Sequence, residues 1–365
     1  MMFSFRCSAA PRALFLSGCP GQSMQYRCHH AAMVLRSMGW KTRVHAGDLP
    51  EAGVEGQYDL VVLHRVPFSA ELKQFLMQAQ TQGCRLVFDI DDLMFDLEHL
   101  ESFQSNEYLN EPAVWRDHAL RHRHTMDLCP VITVSTPELQ KEAQKLFPEK
   151  TILVVHNAVS RSMTLRARFA RIRRTRDSNL IRMTYVSGSH SHDKDFAGIA
   201  PALACVLRRY PHVHLRCIGP VGLPEALIPL KGQIETLPFQ PPERIARLIA
   251  DAAVNLAPLE ITNRFTACKS AVKYLEAALC AVPTVGSATP GYAEVIVSGE
   301  NGMLCGSDRE WEETLNVLLE EPDARVAMGK RALKNVRNHH TIRFRRGEYG
   351  AVLRALHLPE KRGTA

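Results

Sequence analysis

Short apolar segments alternate with amphipathic ones along most of the chain, and this alternation constrains the fold more than any other feature of the sequence. In the first half the predicted strands are, in order, Ala13–Ser17, Leu60–Leu63, Leu86–Phe88, Val131–Val134 and Ile152–Val155. In the second half they are Arg182–Val186, Val213–Ile218, Val254–Ala257, Thr284–Val285 and Met303–Leu304. Apolar strands that alternate with helices are typical of a parallel sheet covered by helices on both faces. The sequence therefore predicts an α/β protein with two doubly wound, Rossmann-like sheets.

The alternation stops at an arginine-rich stretch and then restarts, which divides the chain into two predicted domains. We expect an N-terminal domain over 1–158, a basic linker over 159–180 and a C-terminal domain over 181–338. Residues 339–365 are predicted to form a helical tail, for which packing back on the N-terminal domain is one option. Ligands of doubly wound sheets bind at the carboxyl ends of the strands. The sequence thus predicts a site in a cleft between the two domains.

The chain carries 45 lysines and arginines against 38 aspartates and glutamates, which gives a net charge of +7. Part of the excess is local, because seven arginines and no acid lie between Arg161 and Arg176. Such a run is either a solvated linker or a surface that contacts an anionic membrane. Nucleic acid is not an expected partner, because the run lacks the interleaved aromatic residues of a base-stacking surface.

Ten cysteines are scattered along the 365 residues without a Cys-x-x-Cys pair. A chain of this length does not need disulfides, so the pattern predicts reduced thiols and a cytoplasmic protein. No apolar run reaches the roughly 18 residues that a membrane-spanning helix needs. Cys28, His29 and His30 are adjacent, but no second half-site follows at zinc spacing, so no metal site is predicted.

The most informative segment lies between Asn263 and Glu276. A helix with Thr266 as its N-cap would place Lys269, Lys273 and Glu276 on one polar stripe. Two cations near a helix start suit a diphosphate, because the free N–H groups there also favour anions. A carboxylate further along the stripe suits paired hydroxyls such as a ribose diol. The alternative is an exposed Lys–Glu face without a ligand.

Two glycine-containing loops favour the diphosphate over that alternative. Ser187, Gly188 and Ser189 follow one predicted strand, with Lys194 shortly after, and Gly219 follows another strand. Glycine lets backbone amides approach a phosphate closely. Together with the lysines, these loops predict a nucleotide-diphosphate site in the C-terminal domain.

These segments resemble the retaining glycosyltransferases of the GT-B fold, in the family often called glycosyl transferases group 1. The similar segments are the donor helix with its following strand at 269–285, the closing loops at 290–294 and 299–302, the phosphate loop at 187–194, and the end of the N-terminal domain at 155–158. The Lys-Ser-x-x-Lys pattern of Lys269–Lys273 is similar to that of a bacterial surface-polysaccharide subgroup.

The resemblance implies roles for individual residues of the C-terminal domain. It implies that Glu276 holds the donor ribose and that Lys194 and Lys269 stabilise the departing diphosphate. The other implied donor-binding residues are Gly188, Ser189, Gly219, Ser270 and Lys273. Two positions depart from the family pattern. Cys268 stands where a glutamate contacts the donor sugar, and Ser189 stands where an arginine follows the loop glycine.

An acidic cluster, Asp89-Ile-Asp-Asp92, directly follows the third predicted strand. Carboxylates gathered at the end of a strand repel one another, which indicates a purpose. The cluster fits an Asp-x-Asp metal site of the GT-A type, or the nucleophile loop of a HAD-type phosphatase that uses Asp89 and Asp91. It also fits the active-site edge of a GT-B enzyme, in which Asp91 and Asp92 are the catalytic candidates. A role in fixing the loop through local hydrogen bonds is the fourth interpretation.

Three more residues are candidates for acceptor-side or phosphate contacts. Gly18 lies in the turn after the first strand, Arg27 on the following helix, and Arg65 just after the second strand. A guanidinium can clamp a phosphate with two parallel hydrogen bonds. The alternative for each arginine is an ordinary position on the surface.

The resemblance implies a metal-independent hexosyltransferase that moves a sugar, with retention, from a nucleotide-diphosphate sugar to a saccharide or lipid-linked acceptor in cell-surface glycan synthesis. No cofactor is expected, because the nucleotide sugar is itself a substrate. The expected location is the cytoplasm, at the inner face of the membrane if the basic run binds lipid. The alternative is a GT-B-fold protein that binds a nucleotide sugar without turnover.

Overall fold

The structure is a computed structural model that describes residues 10–47, 49, 58–98, 112–174 and 180–360. The chain divides into two compact units. The first contains the described residues of Met1–Phe95, Asp117–Ala158 and Ile342–Ala365. The second contains those of Asp96–Arg116 and Val159–Thr341.

The first unit is built on a parallel sheet of six strands in the order β2-β1-β3-β4-β5-β6. Its strands are β1 Arg12–Ser17, β2 Lys41–Ala46, β3 Leu60–His64, β4 Arg85–Ile90, β5 Val131–Val134 and β6 Thr151–Val154. The central strands β1, β3, β4 and β5 are almost entirely buried, as expected for strands that helices cover on both faces. In β1, Phe15 pairs in register with Val62 of β3 on one side and with Val44 of β2 on the other.

The helices beside this sheet are α1 Gln22–Met24, a π-helical turn Gln25–His29, α2 His30–Ser37, α3 Ala70–Thr81, α4 Pro112–Leu128, α5 Pro137–Leu146 and α15 Arg346–Ala355. They lie between successive strands of the chain, except α15, which follows the last strand, and the first five residues of α4 belong to the second unit. Side-chain caps fix where α3 and α5 begin, because Ser69 accepts a hydrogen bond from the amide of Leu72 at 3.1 Å and Thr136 one from the amide of Leu139 at 3.2 Å.

The second unit repeats this plan with the strand order β12-β11-β10-β7-β8-β9, again all parallel. Its strands are β7 Ile181–Val186, β8 Val213–Ile218, β9 Ile234–Leu237, β10 Val254–Ala257, β11 Thr284–Ser287 and β12 Met303–Cys305. Successive residues of a strand point to opposite faces, so Leu256 packs in one core cluster and Ala257 in another.

The α-helices of the second unit cover both faces of its sheet. They are α6 Arg161–Ile172, α7 Asp193–Ala197, α8 Ala200–Arg209, α9 Pro242–Ala250, α10 Arg264–Ala267, α11 Val272–Leu279, α12 Pro290–Ala293, α13 Asp308–Glu320 and α14 Pro322–His339. Short 3-10 helices lie at His190–His192 and Glu225–Gln233. Within the described ranges, no helix combines the length and the apolar character that crossing a bilayer requires.

The predicted α/β class with two doubly wound sheets is confirmed, and every strand predicted from the sequence is present within one or two residues of its expected ends. Two strands had not been predicted, β2 and β9, and each lies at the edge of its sheet. Polar and exposed residues interrupt the apolar pattern of Lys41–Ala46 and Ile234–Leu237, whereas the other two edge strands, β6 and β12, keep short apolar runs and were predicted. Apolar runs therefore do not reveal β2 and β9.

The segment predicted to be a basic linker is helical over most of its described length. Helix α6 covers Arg161–Ile172, and its Ala167 and Ala170 are buried in a core cluster of the second unit. The last arginine of the basic run, Arg176, lies outside the described residues. The predicted tail contains α15, whose Tyr349 and Val352 pack in the core of the first unit.

Helix α14 packs closely on the turn before β11 at Gly329, where no larger residue fits without a shift of the backbone. A Cβ atom at this buried position would lie 2.2 Å from the carbonyl oxygen of Ala281. We expect Gly329→Ala to lower the free energy of unfolding by about 1–3 kcal/mol, because the helix must shift away from that backbone. Gly347→Ala is the matched control, since a Cβ there meets no atom within 4 Å. Urea unfolding of both variants tests this, and an equal effect would contradict it.

Candidate functional site

The strand order of the second unit opens a crevice beside β7. The chain passes from β7 to β8 on one side, while β10 pairs with β7 on the other. Loops that leave neighbouring strands in opposite directions diverge, and ligands of doubly wound sheets bind at that point. Here the diverging loops are 187–192 after β7 and 258–271 after β10.

The segment predicted as one continuous helix with Thr266 as its N-cap is divided in two, and that prediction is wrong. Asn263 is the N-cap of α10, and its Oδ1 accepts a hydrogen bond from the amide of Phe265 at 2.8 Å. The Thr266 hydroxyl donates to the carbonyl oxygen of Asn263 at 2.8 Å. Helix α11 begins only at Val272, so Lys269 and Ser270 lie in the connection between the two helices.

Close packing against α12 accompanies this break. A Cβ atom at Gly291 would lie 2.0 Å from the carbonyl oxygen of Lys269, so the connection rests directly on the backbone of α12. Lys269 and Lys273 consequently occupy a turn and the first turn of a helix, respectively, instead of successive turns of one helix. No spacing in the sequence reports such a backbone contact.

The two lysines nevertheless share one environment. Burial lowers the pKa of Lys273 to about 8, where Asp195 opposes the shift and Lys269 reinforces it. The Lys273 Nζ lies 5.2 Å from the ring centroid of Tyr185, and the Lys269 Nζ lies 4.3 Å from that of Phe265. Each ammonium therefore sits beside an aromatic face and near the other cation, which favours an anionic ligand.

His192 and Asp195 belong to this cluster, and sequence reasoning missed both. The His192 Nδ1 lies 2.8 Å from the Asp195 carboxylate, whose other oxygen accepts the amide of Glu260 at 2.9 Å. Burial, with Lys273 and Lys269, lowers the pKa of His192 to about 4, so the ring is neutral at neutral pH. The signal was present in the sequence, since His192 and Asp195 are three residues apart after a strand.

Lys194 extends toward the loop after β10. Its Nζ lies 3.0 Å from Oε1 of Glu260, and its side chain is 61% exposed. It lines a pocket of about 400 Å³ whose other polar residues include Asp195, Thr262, Ser287 and Asp308. Lys194 thus stands at the carboxyl edge of the sheet with an acidic partner.

The remaining predicted donor residues occupy the same edge in different ways. A Cβ at Gly188 would meet no atom within 4 Å, so the backbone there is open to a ligand. Gly219 has a φ of 94°, and a Cβ there would lie 2.0 Å from the carbonyl oxygen of Ser187. The glycine therefore allows the loop after β8 to pack directly on the loop after β7. Ser189 contacts Ser191 through its hydroxyl. Glu276 is half-buried and follows Lys273 on α11.

The first unit has an equivalent crevice beside β1. There β1 pairs with both β2 and β3, so the loops after β1 and β3 diverge. A Cβ at Gly18 would lie 2.4 Å from the carbonyl oxygen of Arg65, and Arg65 itself has a φ of 49°. A left-handed backbone at a non-glycine residue is strained, and such strain clusters at functional sites.

His64, the last residue of β3, joins a hydrogen-bonded network at this crevice. Its Nδ1 lies 2.9 Å from the Ser17 hydroxyl, and its Nε2 lies 3.0 Å from the Ser23 hydroxyl. Ser23 also donates to Asp91 at 2.6 Å. His64 is fully buried, so it orients Ser17, Ser23 and Asp91 relative to one another.

Arg65 compensates the two partly buried members of the aspartate cluster, Asp91 and Asp92. Its Nε donates to Asp91 at 2.6 Å, and another guanidinium nitrogen lies 3.2 Å from Asp92. Burial alone would raise the pKa of Asp91, but Arg65 and His64 hold that pKa well below its usual range. The Asp91 carboxylate is therefore ionised, fixed in direction and a weak base.

Asp89 and Arg27 form a separate, buried ion pair. The guanidinium and the carboxylate make two hydrogen bonds of 2.6 and 2.9 Å, and their side chains are 2% and 1% exposed. Arg27 also donates to Asn157 at 3.2 Å, and Thr133 donates to Asp89 at 2.6 Å. Arg27 thus acts inside the protein instead of as a surface phosphate clamp. Asp89 is likewise not the exposed nucleophile that the phosphatase alternative requires.

Within the described ranges, His, Cys, Asp and Glu side chains form no group of three or more arranged to hold a metal ion. In the aspartate cluster, Arg27 balances the charge of Asp89, and Arg65 lies beside both Asp91 and Asp92.

The buried pair predicts a stability effect that a surface phosphate clamp would not show. Arg27→Met should lower the free energy of unfolding by about 3–5 kcal/mol, because it leaves the Asp89 charge buried and uncompensated. Adding Asp89→Leu to that variant should recover much of the loss. Arg36→Met, on the exposed end of α2, is the control and should change little. Urea unfolding tests this, and an Arg27→Met variant as stable as the control would contradict it.

Part of the sequence and the fold of the whole chain resemble known proteins. Residues 200–349 match a family model described as glycosyl transferase-like. Among solved structures, HepE from Anabaena in complex with UDP superposes with a TM-score of 0.62 at 14% identity, covering 94% of this chain and 100% of HepE. Sucrose-phosphate synthase from Thermosynechococcus elongatus gives 0.64 at 12% identity, covering 95% and 99%. A glycosyltransferase from Rickettsia africae gives 0.65 at 9% identity, with the same coverage.

No curated protein sequence matches the chain significantly. The solved structures confirm the GT-B fold, with its two Rossmann-like domains, that the sequence predicted. The family model confirms the glycosyltransferase resemblance over residues 200–349, which include Lys269 and Lys273.

Proposed function

We propose that this protein is a glycosyltransferase that takes a sugar from a nucleotide-diphosphate donor bound by the second unit. The observation that carries the proposal is the pairing of Lys269 and Lys273 beside the crevice of the second sheet. Two neighbouring ammonium groups at a sheet's carboxyl edge suit a diphosphate. The family match over 200–349 and the UDP bound in HepE support the same class of ligand.

The chemistry follows from the charge that develops on the leaving group. As the bond from the sugar to the phosphate breaks, negative charge accumulates on the diphosphate and the sugar becomes oxocarbenium-like. Lys269 and Lys273 would stabilise that charge, with Lys194 moving from Glu260 to the donor. The backbone at Gly188 is open to a phosphate, and Glu276 would hold the ribose diol. Because lysines supply the positive charge, the proposed hexosyl transfer needs no divalent metal.

The crevice of the first unit would receive the acceptor, a saccharide or a lipid-linked saccharide. Asp91 and Asp92 are held by Arg65 and can accept hydrogen bonds from sugar hydroxyls. The low pKa of Asp91 makes it a poor general base. That property supports transfer with retention, in which the donor's own phosphate takes the acceptor proton and the protein needs no strong base.

We place the reaction in the synthesis of cell-surface glycan at the cytoplasmic face of the membrane. The nine described cysteines are all free, which supports a reducing compartment. The decisive experiment is a screen of nucleotide sugars, with release of free nucleotide diphosphate as the readout. A transferase releases it slowly to water and faster with its acceptor.

A second function is a binding protein without turnover, and one observation favours it. Cys268 is 1% exposed and stands where the family's glutamate contacts the donor sugar, so this chain lacks that contact. A pure binder would show saturable nucleotide-sugar binding by calorimetry and no release of nucleotide diphosphate with any acceptor.

The ribose role of Glu276 predicts a loss of nucleotide affinity without a loss of stability. Glu276→Gln should weaken binding of a nucleoside diphosphate by about 1.5–3 kcal/mol, the contribution of a hydrogen bond to a charged group. Glu321→Gln, in the exposed connection between α13 and α14, is the matched control and should bind normally. Calorimetric titration measures both, and unchanged affinity in Glu276→Gln would remove the ribose assignment.

The pKa of Lys273 predicts how donor binding depends on pH. In the free protein this lysine loses its charge as the pH rises through about 8. Diphosphate binding favours the charged form, so the affinity should fall above pH 8 by up to about tenfold per pH unit. Lys273→Gln should bind more weakly at pH 7 and lose this slope, whereas the exposed control Lys231→Gln should keep it. The same slope in Lys273→Gln would show that another group titrates.

A further inference from the structure

Helix α6 exposes its large apolar side chains and buries its small ones. Leu165, Phe169 and Ile172 are 43%, 60% and 69% exposed, whereas Ala167 and Ala170 are buried. The three large residues are spaced by four and three positions and therefore lie on one face of the helix. A surface helix of a globular protein normally turns such residues toward the core. The outward face of α6 thus carries an apolar stripe, defined here as Leu165, Phe169 and Ile172.

Arginines flank the apolar stripe on both sides. At 3.6 residues per turn, Arg161 and Arg168 lie along one edge of the stripe and Arg166 and Arg173 along the other. Helix α6 contains no acidic residue. Arg161, Arg168 and Arg173 are exposed, and none of them makes an ion pair or side-chain hydrogen bond with another described residue.

Contacts outside the apolar stripe hold α6 and the residues just after it on the second unit. Arg166 pairs with Glu243 of α9 at 3.0 Å, Arg171 donates to the carbonyl oxygen of Leu279, and Arg174 donates to that of Ala252 at 2.8 Å. The small side chains of Ala167 and Ala170 let the helix approach α9 and α11 closely. The helix is therefore docked, and the apolar stripe is a fixed surface.

We propose that this face of α6 docks the protein on an anionic lipid bilayer, with the apolar stripe in the headgroup boundary and the flanking guanidiniums on lipid phosphates. An apolar face bordered by cations matches the two layers of an anionic membrane surface. A second copy of the chain fits less well, because a symmetric contact through this face would bring arginines against arginines. A nucleic acid would satisfy the arginines but leave the stripe uncovered.

This inference goes beyond the sugar-transfer reaction and does not depend on it. It also differs from attraction of a basic segment alone, because it assigns part of the binding to three named apolar side chains. Binding by charge alone disappears when salt screens the surface, whereas burial of apolar area persists.

The experiment is co-sedimentation of the full chain with vesicles of phosphatidylcholine, with and without phosphatidylglycerol. We expect binding to the anionic vesicles only, with a fraction that survives half-molar salt, where the Debye length is only about 4 Å. The variant Leu165→Gln/Phe169→Gln/Ile172→Gln should lower the partition coefficient about tenfold or more and lose the salt-resistant fraction. Its matched control is Met77→Gln/Phe239→Gln/Val317→Gln, which changes three other exposed apolar residues and should bind as wild type.

A second pair of variants tests the cations. Arg161→Gln/Arg168→Gln/Arg173→Gln should weaken binding by about fivefold per arginine. Lys73→Gln/Arg208→Gln/Lys330→Gln removes the same charge at other exposed positions and should have a much smaller effect. In Phe169→Trp, the added tryptophan emission should shift to the blue on anionic vesicles and be quenched by brominated lipid.

Three results would overturn the proposal. The first is equal partitioning of the wild type and the apolar-stripe variant on anionic vesicles. The second is a concentration-dependent dimer, seen by light scattering, that the apolar-stripe variant abolishes, which would identify a second copy as the occupant. The third is tight, salt-sensitive binding of RNA in the absence of vesicle binding. Circular dichroism and urea unfolding of the same samples show whether the variants remain folded, independently of nucleotide binding and of any transfer activity.

Discussion

Parallel pairing brings the carboxyl ends of all six strands of a sheet to one edge, and the candidate site depends on this constraint. Within each unit, the chain leaves a central strand in one direction while its neighbour's loop leaves in the other, so a crevice opens there. A glycine completes each crevice. Gly18 admits the carbonyl of Arg65 in the first unit, and Gly219 admits that of Ser187 in the second. Any side chain at these positions would separate the two loops that shape the crevice.

The two units balance charge differently at these equivalent edges, and this difference assigns their proposed roles. In the first unit, Arg27 and Arg65 compensate the carboxylates of the aspartate cluster, so that edge presents fixed hydrogen-bond acceptors. In the second unit, Lys269 and Lys273 lie near the carboxylates of Asp195 and Glu276, and the pKa of Lys273 falls because burial and the cationic neighbour outweigh these carboxylates. Hydrogen-bond acceptors suit hydroxyl groups, and two neighbouring ammonium groups suit a diphosphate.

Much of this fold could be predicted from the sequence. A central parallel strand is buried on both faces, so its sequence is a continuous apolar run. Val131–Val134 and Val213–Ile218 were identified to the residue for that reason. The edge strands Lys41–Ala46 and Ile234–Leu237 were not predicted, because exposed polar residues interrupt their apolar pattern. The spacing of Lys269 and Lys273, with the glycine-containing loops, also predicted that both lysines bind a diphosphate, and that role stays a prediction.

Tertiary contacts decided the rest. The backbone of Lys269 packs on Gly291 where the predicted helix divides, and local propensity cannot predict a contact between residues 22 positions apart. Arg27 was a candidate phosphate clamp, with a surface position as the alternative, and it is the buried partner of Asp89, because its environment is made by strands distant in sequence. The basic run looked like a linker and is a docked helix with an outward apolar stripe. Sequence fixes periodicity and chemical type through local chain geometry, whereas burial and partner are set by which segments the fold brings together.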